Sequence, residues 1–147
     1  MKRRCAVALV VLLALALTAC GKASHTEAAR AEPAKVEKVQ GSDINRVVLT
    51  NQAVQRLGIV TAPVRDLTPP VPGRTVVDYS ALIYDANGAA AVYTSPAPRT
   101  YVRAPVTVGG IQGSQAFLTN GPPPGTEVVT VGAPELYGID SGIGGNE

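Results

Sequence analysis

The second half of this chain predicts a mainly β fold, a small antiparallel β-sandwich or barrel with one short helix. Three observations carry that expectation. Runs rich in Val, Ile, Tyr and Thr recur from Arg46 onward. Gly, Pro or Asn clusters separate them at roughly 8 to 15 residues, the rhythm of short strands joined by turns. No heptad run occurs anywhere in the sequence, so a helical bundle has nothing to build on.

Before that domain comes a leader. Lys2, Arg3 and Arg4 form a positive n-region, residues 6–16 are an almost unbroken apolar run, and Leu17-Thr18-Ala19-Cys20 closes it. The run falls well short of the roughly 20 apolar residues that a membrane-spanning helix needs, and it has the layout of an export signal over residues 1–19. Leu-Thr-Ala-Cys resembles the lipobox of bacterial lipoproteins, which implies lipidation of Cys20 and cleavage just before it. Ordinary secretion, with Cys20 merely nearby, is the plainer alternative. Of the two cysteines, Cys5 leaves with the signal and Cys20 is consumed by the anchor, so no disulfide is expected.

The chain carries 13 Lys and Arg against 11 Asp and Glu. Three of those cations lie in the leader, and the rest are scattered among only five Tyr and one Phe. Nucleic acid is therefore not an expected partner. Residues 20–43 are rich in Ala, Lys and Glu with cancelling charges, too little apolar surface to offset the entropy of ordering, and read as a tether. A flexible coil of that length spans on the order of 25 to 30 Å. A helix over residues 28–39, interrupted by Pro33, is the alternative. His25, the only histidine, sits in this tether as a solvated residue.

Residues 44–140 form the expected β domain. A strand over 46–49 leads to Thr50 as N-cap, a helix whose Ala53, Val54 and Leu57 share a face, and Gly58 as C-cap. Residues 59–64 continue as a strand until Pro69-Pro70 and Pro72-Gly73 break it. Strands are expected at 74–79 and 81–84, then a turn at Asp85-Ala86-Asn87-Gly88 and a returning strand at 91–95. Ser95-Pro96-Ala97-Pro98 reads as a loop. A longer strand over 100–108 must lie at an edge or bend at Pro105, and Gly109-Gly110 with Gly113 read as the next turn. Strands at 115–119 and 127–131 complete the set. A turn of helix at 133–137 folds Leu136 back on the core, and residues 141–147 are a free tail.

Four segments in order, TNQAVQRLGIVTAPV, SALIYDANGAAAVYT, RTYVRAPVTVGGIQGSQAFLTNG and PPGTEVVTVGAPELYG, resemble the membrane-proximal portions of periplasmic adaptor subunits of tripartite efflux pumps, the membrane fusion proteins. Gly125, Glu127, Val128, Val129, Gly132, Ala133 and Leu136 occupy the places of that family's closing pattern. The resemblance implies a lipid-anchored, non-catalytic module on the extracytoplasmic side of a bacterial membrane, docking on a resistance-nodulation-division transporter. The departures are specific. A complete adaptor carries a lipoyl-like module and a long helical hairpin where Val64 here passes almost directly into Val71-Pro72-Gly73, and Pro122 stands where the family usually has leucine. Adaptors of metal pumps use methionine clusters, and this chain's only Met is the initiator. A stand-alone envelope lipoprotein that binds a small apolar ligand or scaffolds the cell wall is the alternative.

No cofactor and no catalytic chemistry is expected. G-x-S-x-G, P-loop, G-x-G-x-x-G and C-x-x-C patterns are missing, and the glycines at 109–113 lack the Lys and helix of a phosphate loop. Asp78, Asp85, Glu127, Glu135 and Asp140 are the candidate carboxylates for acid and base work, with the polar faces of strands as the plainer reading. Arg99, Tyr101 and Arg103 alternate along one strand and form the candidate edge patch for a partner, or else a solvated face. Replacing Cys20 with Ser is expected to move the protein from the membrane to the soluble fraction, read by cell fractionation, because stable attachment takes acyl chains that serine cannot carry.

Overall fold

The computed structural model describes residues 32–41, 44–67 and 74–143. The leader, Cys20 and His25, the Pro69–Gly73 break and residues 144–147 lie outside the described residues. Eleven strands among the described residues make two antiparallel sheets. In chain order they are β1 Ala34–Lys38, β2 Asn45–Leu49, helix α1 Asn51–Leu57, β3 Val60–Pro63, β4 Arg65–Asp66, β5 Thr75–Asp78, a 3₁₀ turn Tyr79–Ala81, β6 Ile83–Tyr84, β7 Ala90–Ala97, β8 Thr100–Pro105, β9 Thr107–Gln112, β10 Gln115–Asn120, β11 Glu127–Val131 and helix α2 Ala133–Asp140. The larger sheet runs β1-β2-β8-β7-β11-β3, with β6 also on β7, and the smaller runs β4-β5-β10-β9.

The larger sheet is buried on both faces at its centre. Tyr93 of β7 and Val129 of β11 point into one cluster with Leu49, Ala53 and Leu136, under the two helices. Their neighbours Val92 and Val128 point the other way, into a second cluster with Val77, Ala116 and Leu118 of the smaller sheet. Because side chains alternate across a strand, burial on both faces requires continuous apolar runs, and Ala91-Val92-Tyr93 and Val128-Val129 are such runs. The architecture is a sandwich of two sheets, with helices over the outer face of the larger one.

Helix α1 forms as its caps dictate. The Thr50 side chain accepts from the Ala53 N–H, and Gly58 takes the left-handed conformation at φ 61° that ends the helix. Gly132 precedes α2 at φ 88°, and a Cβ there would run into the Ile59 side chain, so both the turn and the packing require glycine.

Several expectations need correction. Residues 34–38 are not tether: they pair along their length with 45–49, Val36 opposite Val47. Their Lys35, Glu37 and Lys38 are the charges that guard an exposed sheet edge, and an edge strand needs backbone partners more than apolar mass. The helical alternative fails there for the same reason. Residues 79–81 form a 3₁₀ turn, leaving only a two-residue strand at 83–84. Pro96 lies within β7, where a register shift between Thr94 and Ala97 absorbs it. The 100–108 strand is two strands in different sheets, with buried Val106 crossing between them. Gly109 and Gly110 belong to β9; a Cβ on Gly109 would sit 2.7 Å from Thr119 Cγ2, so that glycine permits close strand approach instead of making a turn. Helix α2 runs on to Asp140, and Ser141, Gly142 and Ile143 all donate backbone hydrogen bonds back to it, so the tail is not free at its start. Pro122 is buried.

Leu136 is wholly buried, between α2 and the larger sheet. Leu136→Ala is expected to cost about 2 to 5 kcal/mol, read as a lowered urea midpoint with unchanged slope.

Candidate functional site

Two features of the described residues carry chemistry: a buried polar cluster under α2 and an apolar groove beside α1. The cluster is built by helical spacing. Ala133, Leu136 and Asp140 lie on the buried face of α2, which carries a carboxylate, its side chain only 1 % exposed, over the larger sheet. Tyr93 Oη, from β7, donates to Asp140 Oδ2 at 2.8 Å. Arg103 Nε, from β8, lies 3.4 Å from the same oxygen, and its side chain is 32 % exposed. Tyr93 and Arg103 are cross-strand partners, so β7 and β8 deliver the two groups together. Among the described residues Asp140 Oδ1 has no hydrogen-bond partner. Asn45 Nδ2 adds a long contact to the Asp140 carbonyl at 3.4 Å.

Burial pushes the Tyr93 hydroxyl well above the usual tyrosine range, and the hydrogen bond and negative charge of Asp140 push it further, opposed only by Arg103. Burial also raises Tyr101. The cluster therefore holds a neutral tyrosine donor against an acceptor, an arrangement for fixing a helix. Arg103 also lines a cavity of about 280 Å³ with Ile44, Ile83, Pro105 and Tyr137.

The expected docking patch is not assembled. β8 lies between β2 and β7 in the interior of the larger sheet, so it offers no edge. Tyr101 is buried in the core and Arg103 is committed to Asp140. Arg99 is exposed, in the turn before β8 at φ 61°, with its carbonyl accepting from the Leu49 N–H at 2.9 Å. Alternation along β8 holds for Tyr101 and Arg103 and puts both under the helices, whereas Arg99 lies in the preceding turn and is not part of the strand.

The candidate carboxylates are dispersed. Asp78 pairs with Arg65 at 2.9 Å across β4 and β5. Asp85 Oδ1 accepts from the Asn87 and Ala89 N–H groups at 2.8 and 2.9 Å, closing the β6–β7 turn. Glu127 and Glu135 are exposed, on β11 and the first turn of α2. Among the described residues no group of three or more His, Cys, Asp or Glu is placed to hold a metal.

The groove, of about 500 Å³, runs between β1, α1 and the end of α2. Leu49 and Ala53 are its buried floor, and Pro33, Ala34, Val36, Leu57 and Ile139 are its walls. Glu32 and Arg56 stand at its rim, both exposed. Sequence reading missed the groove because β1 was assigned to the tether. It missed the cluster although an Asp at the i+7 position from Ala133 on an apolar helix face was visible.

The chain matches no family model, no curated protein and no solved structure.

Removing Asp140 leaves a buried hydroxyl and a half-buried guanidinium without their acceptor. Asp140→Ala is expected to cost about 2 to 3 kcal/mol and Tyr93→Phe about 1 kcal/mol in chemical denaturation. The folded-state pKa of Tyr93 is raised, so its stabilisation is complete below the unfolded value near 10 and is lost as pH rises above it. Wild type is expected to lose stability above about pH 10 more steeply than Tyr93→Phe, followed by urea melts across that range.

Proposed function

We propose that this chain is a lipid-anchored protein of the bacterial cell envelope, held through Cys20, whose β domain is a non-catalytic binding module that docks on a transporter in the manner of a shortened efflux-pump adaptor. The observation that carries this reading is the pairing of β4 with β5. Arg65 lies opposite Val76 and Asp66 opposite Thr75, and the Arg65–Asp78 ion pair spans the same two strands. The connection between them is the point at which an adaptor would carry its lipoyl-like module and helical hairpin. Adjacent antiparallel strands are where a module can be inserted or removed without disturbing the body, since the chain leaves and returns at neighbouring positions.

The environment of the polar groups supports a binding role over a catalytic one. Asp78, Asp85 and Asp140 are each occupied in holding elements together. The stand-alone alternative has its own support in the apolar groove, whose volume falls within the range of about 300 to 1,000 Å³ usual for small-molecule sites.

Crosslinking of the full chain in intact envelopes, read by mass spectrometry, tests the reading. Peptides of a resistance-nodulation-division transporter are expected among the products, with reversal of Arg99 alone changing the yield little, because a single exposed arginine contributes about 1 kcal/mol or less. Recovery of no transporter would leave the stand-alone lipoprotein as the better account.

A further inference from the structure

We infer that the groove between β1, α1 and the end of α2 seats the alkyl chain of a single-chain zwitterionic amphiphile, a lysophospholipid, with Arg56 and Glu32 receiving its headgroup. The lining decides the tail. Leu49 and Ala53 form a buried apolar floor, and Ala34, Val36, Leu57 and Ile139 rise from three different elements around it. Val36 is 43 % exposed on a strand whose other outward residues are the charged Lys35 and Lys38. An apolar residue on such an edge has no packing reason within the domain and an evident one as a groove wall.

The rim decides the head. Of the lining residues only Glu32 and Arg56 are charged, one of each sign. Among the described residues neither takes part in an ion pair or side-chain hydrogen bond. A phosphate with an ammonium beside it complements both, the phosphate at the Arg56 guanidinium and the ammonium at the Glu32 carboxylate. A purely anionic amphiphile meets Glu32 as a repulsive neighbour, and a purely cationic one meets Arg56. The backbone fixes two walls of the groove together: the Thr50 N–H donates to the Pro33 carbonyl at 3.0 Å, tying the start of β1 to the N-cap of α1. This ligand class deepens the envelope reading proposed above, where such lipids are at hand, but its test does not depend on location.

The test uses the exported chain carrying Cys20→Ser, so that no anchor of its own competes. Lysophosphatidylethanolamine below its critical micelle concentration is titrated by calorimetry, with methyl resonances of Leu49, Ala53 and Ile139 followed in parallel. One molecule per chain is expected to bind, with methyl shifts confined to the residues that line the groove. Each methylene removed from the tail is expected to weaken binding about fourfold. Arg56→Ala and Glu32→Gln are each expected to weaken it about threefold to fivefold, and palmitate is expected to bind more weakly than the zwitterion. Val36→Asp, on an exposed wall where folding is not at stake, is expected to weaken it about tenfold or more. Absence of heat and shifts, or binding unaltered by Val36→Asp, would overturn the site. Binding unchanged by both rim variants would overturn the headgroup assignment, and methyl shifts that follow protein concentration would assign the groove to a second copy of the chain. Transporter crosslinks from envelopes report on the docking reading separately from all of these results.

Discussion

A carboxylate at the buried end of a helix has to be met by donors, and meeting it organises one whole side of this molecule. Asp140 lies over the larger sheet with Tyr93 Oη at 2.8 Å and Arg103 Nε at 3.4 Å. An unpaired charge in that position would be strongly destabilising, so α2 is held to the one placement that satisfies it. Leu136 supplies the apolar area of the contact and Gly132 the left-handed turn that aims the helix back across the sheet. The polar pair gives direction to what apolar burial alone would leave free to slide. Its remaining oxygen, Oδ1, has no hydrogen-bond partner among the described residues.

The same placement shapes the groove. Ile139, the residue before Asp140, forms one wall, and Gly142 closes that end. The opposite wall is β1, fixed by its pairing with β2, and the floor is Leu49 of β2 with Ala53 of α1. A structural polar cluster on one face of the sheet thus determines the form of an apolar surface at its edge. Asp78, Asp85 and Asp140 are engaged in holding elements together, and the apolar surface beside the last of them is the groove to which the proposal assigns an alkyl chain.

The fold class was legible because alternation and turn chemistry act locally. Thr50 caps α1 through its hydroxyl and Gly58 through a left-handed backbone that needs no side chain, and Asp85 closes its turn through its own carboxylate. What was not legible depends on partners distant in sequence. Ala-Lys-Val-Glu-Lys looks like solvated linker until β2 is beside it. Gly109 and Gly110 look like a turn until Thr119 is packed against the first of them. Arg103 looks like a surface group because alternation tells which residues share a face of a strand and not which face is covered. Asp140 was weighed as one of five dispersed carboxylates, although its place on the face of α2 with Ala133 and Leu136 separates it from the other four.

Hydrogen exchange under native conditions measures the central dependence most directly, through the amides of Leu136 and Ser141, which bond within and just after α2. If the Asp140 cluster makes the helix and the sheet one cooperative unit, these amides exchange with the same opening free energy as those of Tyr93 in β7 and Arg103 in β8. Exchange of α2 through a cheap local opening, with β7 and β8 still fully protected, would contradict it.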